Sequence, residues 1–150
     1  MERSGDVITK GVRATRQGES RRPFHMPKQV PVCGSNIVRE EDEAATRCVN
    51  TNCPARLKES ILHFAGRPVM NIDGMGDALV EQLVDRGLVK SVSGIYSLTL
   101  DQLVDLERMG EKSAQNVMRN IEKSRENPLP RVLVGRGIRF VGVRTAVLLA

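Results

Sequence analysis

Three short stretches decide the fold of this chain: Ile72-Asp73-Gly74-Met75-Gly76, Leu106-Glu107-Arg108-Met109-Gly110 and Ile138-Arg139-Phe140-Val141-Gly142. Each has an apolar residue, two variable residues, a second apolar residue and a closing glycine. The closing glycines are 34 and then 32 residues apart. A near-constant period of this length indicates an internal repeat, in which one supersecondary unit occurs three times.

The segments around these stretches have the apolar periodicity of amphipathic helices. The apolar residues that share a helix face are Leu57, Ile61, Phe64 and Ala65 before the first stretch, Leu100, Leu103 and Val104 before the second, and Ala114, Val117, Met118 and Ile121 after it. Thr99 and Gln102 have the spacing of a capping box, which indicates the start of a helix. An alanine also recurs after each stretch, at Ala78, Ala114 and Ala146. We therefore predict a mainly α fold whose repeated unit is a helix, a hairpin and a helix.

The hairpins are the candidate binding elements. Glycine accepts positive φ and has no side chain, so a backbone that ends a hairpin in glycine can approach a ligand closely. The first N–H groups of the following helix have no intrahelical partner and attract an anion such as a phosphate. Lys112 and Arg144 occupy the first helical turn after the second and third hairpins, where cations are otherwise unfavourable, whereas the first hairpin has Asp77 instead.

These features predict contacts with the DNA backbone, and backbone contacts do not depend on base sequence. The predicted DNA-contacting residues are Gly74, Gly76, Gly110, Lys112, Gly142 and Arg144. We expect the first hairpin to bind phosphate more weakly than the other two. Hairpins that serve only as structural turns are the alternative interpretation.

The cysteines are the second candidate site. Cys33, Cys48 and Cys53 are the three cysteines of the chain, and in a reducing compartment an odd, clustered set favours a metal over disulfides. The residues around Cys33 look like a zinc knuckle, but the position of the knuckle's other cysteine holds Val30. Because structural zinc takes four ligands, we expect any zinc here to be weakly held, or the thiols to be free. His25 and His63 are weaker candidates for the fourth ligand.

The composition excludes several classes of protein. Only 3% of the 150 residues are aromatic and Trp is absent, so no row of aromatic side chains can stack single-stranded bases. No apolar run is long enough to span a membrane and no signal peptide is recognisable, so we expect a cytoplasmic protein without membrane contact. The net charge of +5 agrees with a nucleic-acid partner, but charge alone is weak evidence.

Several motifs resemble those of the bacterial-type NAD-dependent DNA ligases. In the cysteine segment the resemblance rests on Pro31-Val32-Cys33-Gly34-Ser35, Glu43-Ala44, Arg47-Cys48-Val49-Asn50 and Cys53-Pro54-Ala55. In the helical segment it rests on His63-Phe64, Met70-Asn71-Ile72-Asp73-Gly74-Met75-Gly76, Gly110-Glu111-Lys112-Ser113-Ala114-Gln115-Asn116, Gly137-Ile138-Arg139 and Val141-Gly142. Gly5-Asp6-Val7-Ile8 with Lys10 resembles the end of that family's oligonucleotide-binding (OB) fold. The motifs follow the family's order.

The resemblance implies three parts: the end of an OB fold with a linker at residues 1–27, a zinc-finger-like module at 28–56, and a truncated helix-hairpin-helix domain at 57–150. It also implies a role in encircling nicked duplex DNA while another domain seals the nick in replication and repair. NAD and Mg²⁺ would act in the family's adenylation domain, which precedes this segment. The nucleophile motif Lys-x-Asp-Gly is absent, since Asn71 stands where Lys is required, so we expect no catalysis by this chain alone.

Two other interpretations stay open. The chain could be another helix-hairpin-helix enzyme, such as a glycosylase with a base pocket or a nuclease with clustered carboxylates. The run Glu40-Glu41-Asp42-Glu43 lies in the cysteine segment, where it is typical of a solvated face. The chain could also be a stand-alone helix-hairpin-helix module, or a zinc-stapled interaction module without a DNA role.

Overall fold

The computed structural model describes residues 2–4, 8–10, 22, 24–41 and 44–150. Two small antiparallel pairs of strands come first, β1 (Glu2–Ser4) with β2 (Ile8–Lys10) and β3 (Ile37–Arg39) with β4 (Thr46–Cys48). Ile8 and Lys10 of the segment that resembles the end of an OB fold belong to β2, while Gly5, Asp6 and Val7 lie outside the described residues.

From Pro54 onward the regular elements are all helical, which confirms the mainly α prediction. The helices are α1 (Pro54–Ala65), α2 (Asp77–Asp85), α3 (Leu100–Val104), α4 (Glu111–Ser124), α5 (Leu129–Gly135) and α6 (Val143–Leu149), with a 3₁₀ segment at Val92–Ser97 before α3. The predicted hairpins connect α1 to α2, α3 to α4 and α5 to α6. In each of these pairs the two helices pack against each other.

The predicted helix signals are confirmed, except that Val104 of the apolar face before the second hairpin is exposed. The Thr99 hydroxyl accepts from the Gln102 N–H at 3.4 Å, and the Gln102 amide oxygen accepts from the Thr99 N–H at 3.0 Å, which is the capping box at the start of α3. Ala114, Val117 and Ile121 of α4 are buried. They form the apolar stripe that fixes the orientation of α4 on the core.

The core joins the first two repeats. Ile61 and Phe64 of α1, Leu83 of α2, Leu103 of α3 and Val117 of α4 belong to one buried cluster. The third repeat contributes less, since Ala146 is the buried residue of α6 and Leu148 is 86% exposed. In the described part of the chain, no helix combines the length and the apolar character needed to cross a membrane.

The structure corrects the alignment of the repeats. Val80, Ala114 and Ala146 lie four residues after their closing glycines, and each is fully buried. Ala78, which the sequence pattern grouped with the other two alanines, is exposed. The position that recurs in all three repeats is the one where the second helix faces the core. It holds a small or β-branched side chain, which is valine in the first repeat and alanine in the other two.

Candidate nucleic-acid interface and cysteine cluster

The hairpins share one backbone turn. The third residue of each has left-handed backbone geometry, with φ of 88° at Gly74, 59° at Arg108 and 65° at Phe140. In each turn the N–H of the fourth residue donates to the carbonyl of the first, at 3.3 Å for Met75 to Ile72, 3.2 Å for Met109 to Leu106 and 3.0 Å for Val141 to Ile138. A positive φ at the third position of such a turn is the type II geometry. The three stretches are therefore structural repeats.

The closing glycines are not in positive-φ geometry, so that expectation is wrong. Gly76, Gly110 and Gly142 have φ of −92°, −78° and −85°, which any residue adopts. A Cβ built on any of the three would meet nothing within 4 Å. What glycine provides here is therefore an open surface over the start of the next helix.

The closing glycines are also the N-caps of α2, α4 and α6. Each offers no side chain that could cap the first turn, and each carbonyl accepts the first helical bond, for example from the Ala114 N–H to Gly110 at 2.9 Å. The backbone N–H groups in the first turn of α2, α4 and α6 that lack an acceptor within the helix need a partner from outside it. An anion suits this position.

When the first turns of α2, α4 and α6 are aligned on their closing glycines, Asp77 does not occupy the position of Lys112 and Arg144. Asp77 directly follows Gly76 and aligns with Glu111, whereas Ala78 aligns with Lys112 and Arg144. The first hairpin thus has alanine, not an acid, where the other two have a cation. Lys112 and Arg144 are both exposed.

The first two hairpins hold each other in place. Gln82 of α2 donates to the Glu107 carbonyl at 3.2 Å and accepts from the Glu107 N–H at 2.8 Å. In return, Asn120 of α4 donates to the Asp73 carbonyl at 2.9 Å. Each hairpin is therefore fixed by the second helix of the other repeat, which sets the distance between the two glycine-closed surfaces.

The third hairpin contacts the cysteine segment. The Arg139 guanidinium makes a bidentate ion pair with Glu40, at 3.1 and 3.2 Å, and also lies 4.8 Å from the centre of the Phe140 ring. His63 of α1 hydrogen-bonds through Nε2 to the Val134 carbonyl of α5 at 2.9 Å. His63 is therefore a packing residue that joins the first and third repeats.

The predicted cysteine cluster does assemble. The Sγ atoms of Cys33, Cys48 and Cys53 all lie within 4.8 Å of one another, and those of Cys33 and Cys48 are 3.6 Å apart. Among the described residues this is the one group of three or more His, Cys, Asp or Glu with metal-binding spacing, and neither histidine belongs to it.

Three local features bring the thiols together. The knuckle before β3 turns at Gly34, whose φ is 66° and whose N–H donates to the Val30 carbonyl at 2.8 Å. Cys48 ends β4, and Cys53 is the fully buried N-cap of α1. Arg56 donates to the carbonyls of Cys48 and of Asn50, at 3.2 and 3.1 Å, and so holds the loop between β4 and α1.

The environment favours a thiolate at one of the three cysteines. The Ser35 side chain and backbone hydrogen-bond to Cys33 and lower the pKa of its thiol to about 6. Desolvation by burial instead raises the pKa of Cys48 above its usual value. The environment of Cys33 therefore favours its thiolate, whereas binding an ion must displace the proton of Cys48.

The comparisons with known proteins match the segment that holds the cysteine cluster and the segment that holds the first two hairpins. Residues 31–55 match the NAD-dependent DNA ligase C4 zinc finger domain, and residues 67–123 match the SAM-like helix-hairpin-helix tandem. The whole chain is 67% identical over 150 residues to a DNA ligase of Solibacter usitatus, 61% identical to one of Acidobacterium capsulatum and 47% identical to one of Bacillus pumilus. The chain carries the zinc-finger and helix-hairpin-helix segments of the NAD-dependent DNA ligase family. It spans 23% of the length of each of these relatives.

The ligase finger of this chain departs from its family in ligand number. The family's finger is described as a C4 type, whereas the matched segment holds three cysteines. For zinc bound to four thiolates at about 2.3 Å, the sulfurs at the corners of the tetrahedron are about 3.8 Å apart. The 3.6 Å between Cys33 and Cys48 fits one such edge. One pair of the three thiols thus fits an edge of a zinc tetrahedron, and among the described residues no fourth ligand joins the cluster.

Several residues that hold the hairpins and the cysteine loop in place cannot be identified from the sequence alone. Gln82 and Asn120 are polar residues on amphipathic helices, and their backbone partners lie 25 and 47 residues away. Arg56 acts on the loop that precedes its own helix. The positive φ of Arg108 and Phe140, by contrast, could have been predicted. Both residues align with Gly74 in the repeat, and a glycine at that position indicates positive φ.

Proposed function

We propose that this chain is the DNA-binding segment of an NAD-dependent DNA ligase, which holds nicked duplex DNA in replication and repair while another part of the enzyme seals the nick. The observation that carries the proposal is the repeated turn. Each turn closes with a glycine at which an added Cβ would meet no atom within 4 Å, and the helix that follows has no side-chain cap. A DNA phosphate fits such a position because it accepts from backbone N–H groups and is stabilised by the helix dipole.

The proposed contact residues are Gly74, Gly76, Gly110, Lys112, Gly142 and Arg144. Gly76, Gly110 and Gly142 leave room for the phosphates, and Lys112 and Arg144 add charge beside them. Gly74 also keeps the first hairpin in place for this contact, since a Cβ there would lie 2.9 Å from Cγ2 of Val117 and would displace the hairpin. These contacts involve the backbone of DNA, so binding should not depend on base sequence.

The division into residues 1–27, 28–56 and 57–150 is part of the proposal, as is a cytoplasmic location. Zinc would be bound by Cys33, Cys48 and Cys53, more weakly than by a four-cysteine finger. NAD and Mg²⁺ would be needed only by the adenylation domain of the family. Because the sequence holds no Lys-x-Asp-Gly motif, this chain incubated with NAD should acquire no covalent AMP, as mass spectrometry would show.

Fluorescence anisotropy with labelled DNA tests the binding. Nicked duplexes of two unrelated sequences should bind with equal affinity, and log Kd should vary linearly with log salt concentration. Lys112→Ala should weaken binding to both and lower the salt slope by about one unit. Lys123→Ala is the matched control, because Lys123 is an exposed lysine in the last turn of the same helix α4, and it should change the slope less.

A second variant tests the hairpin surface itself. Gly110→Val places a branched side chain where the phosphate would lie, and the extended backbone at Gly110 accepts valine without strain. The variant should keep its helices by circular dichroism and lose affinity for DNA. If folded Gly110→Val and Gly142→Val both bind nicked duplex like the wild type, the hairpins are structural turns, and an interaction module without a DNA role becomes the better interpretation.

A further inference from the structure

The cysteine cluster combines three soft ligands with an apolar residue at the position expected for a fourth. Val30 precedes Cys33 by three residues, and its backbone makes the knuckle's hydrogen bonds to Gly34 and Ser35. The half-buried isopropyl group of Val30 supplies no electron pair and no hydrogen bond to a bound water. The knuckle therefore keeps its shape while its chemistry changes from four ligands to three.

We propose that this cluster is a site for a thiophilic ion that takes three thiolates and no fourth ligand, with trivalent arsenic the best match, and that it prefers this ion to zinc. Thiolates select soft ions, and zinc in structural sites takes a full tetrahedron. Trivalent arsenic forms three bonds in a pyramid, because a lone pair occupies the remaining direction. It therefore needs nothing from position 30.

Charge points the same way. Three thiolates around a trivalent ion make a neutral site, whereas three thiolates around Zn²⁺ carry one net negative charge and leave a coordination position for water. Cys53 is fully buried and both other cysteines are half-buried, so a site that needs neither a counter-charge nor a water is favoured there. The N-terminus of α1, which Cys53 caps, adds a favourable dipole while the thiolates form.

The binding step is a ligand exchange without oxidation or reduction. In arsenous acid, As(OH)₃, each arsenic–oxygen bond breaks as an arsenic–sulfur bond forms, and the thiol proton leaves with the hydroxide as water. Three exchanges release three waters, and arsenic stays trivalent. The half-exposed sulfurs of Cys33 and Cys48, 3.6 Å apart, can react first, and the buried Cys53 closes the site.

A competition experiment on the whole chain tests the proposal. The protein is reduced with a phosphine, stripped with a chelator and mixed anaerobically with equal concentrations of arsenite and zinc. Native mass spectrometry should find one arsenic per chain in place of three hydrogens, with little zinc, and thiol titration should find no free cysteine. Cys48→Ser should reduce arsenic retention at least about tenfold, because even loss of a residue that only supports a metal ligand costs about 10–100-fold in affinity.

Val30→Cys is the matched control. The fourth thiolate should reverse the preference, so that zinc is retained at least about tenfold better than in the wild type and arsenite leaves one thiol free. The proposal is overturned if the wild type prefers zinc as Val30→Cys does, or if arsenite consumes only two thiols. X-ray absorption showing three sulfurs and one oxygen or nitrogen around tightly held zinc would also overturn it. None of these outcomes depends on DNA binding.

Discussion

Gly74→Ala should be among the most destabilising alanine substitutions at a surface position of this chain. Gly74 has φ of +88°, and an added Cβ would lie 2.9 Å from Cγ2 of Val117. Left-handed geometry costs an alanine about 1–2 kcal/mol, and overpacking against a closed core costs typically about 1–3 kcal/mol. Loss of unfolded-chain entropy returns about 0.4–1 kcal/mol. We expect a net loss of roughly 2–3 kcal/mol in the free energy of unfolding.

The contact with Val117 cannot relax easily. Val117 is 3% exposed and lies in the middle of α4, where a β-branched side chain has essentially one rotamer. Its methyl group therefore cannot turn away from a new Cβ, so the first hairpin must shift instead.

Gly87 provides the control that separates strain from packing. It has φ of +68°, but a Cβ there meets nothing within 4 Å, so Gly87→Ala carries the strain alone and should cost about 1 kcal/mol or less. Urea unfolding followed by circular dichroism measures both as shifts of the midpoint at constant slope. In a Val117→Ala background, Gly74→Ala should cost no more than Gly87→Ala does. Equal losses for the two glycines in the wild-type background would refute the packing argument.

Three further outcomes follow from the contacts between elements. Gln82→Ala removes both bonds to the Glu107 backbone and should cost about 1–2 kcal/mol, with faster hydrogen exchange at the Glu107 amide. A double-mutant cycle on Glu40 and Arg139 should give a coupling of at most about 1 kcal/mol that fades in high salt, because the two side chains are 57% and 46% exposed. Chelation of any bound metal should leave the helical circular dichroism nearly unchanged, since the buried core cluster of the helices contains none of the three cysteines.

The sequence was sufficient for the helices and for the repeat. The stripe through Ala114, Val117 and Ile121 and the capping box at Thr99 are local patterns, and local patterns determine where a helix begins and which face it buries. These local patterns do not show which residue of one repeat is equivalent to which residue of the next. Ala78 looked equivalent to Ala114 by residue type, but the buried position four residues after the glycine is Val80.

The candidate sites were predictable in part. The three cysteines share ligand chemistry that spacing alone reveals, and the structure brings them together. The sequence does not reveal the role of the closing glycines, because glycine serves two purposes, positive φ and absence of a side chain, and residue type alone does not say which applies. Positive φ occurs instead at the third residue of each hairpin stretch. Arg108 and Phe140 adopt it there despite their side chains.

The corrected register gives the sharpest test of the first hairpin. Gly76 has the same open surface and the same uncapped helix start as Gly110, and the exposed Ala78 occupies the position of Lys112. If the first hairpin also holds a phosphate, Ala78→Lys should tighten DNA binding and raise the slope of log Kd against log salt concentration by about one unit. Lys112→Ala should lower the same slope by a similar amount. Asp77 keeps its place in this variant, and lysine is a good helix former, so stability should change little. An unchanged slope in Ala78→Lys, measured beside a Lys112→Ala variant that does respond, would mean that only the second of these two hairpins touches the DNA backbone. The first would then serve to hold the second in position through Gln82.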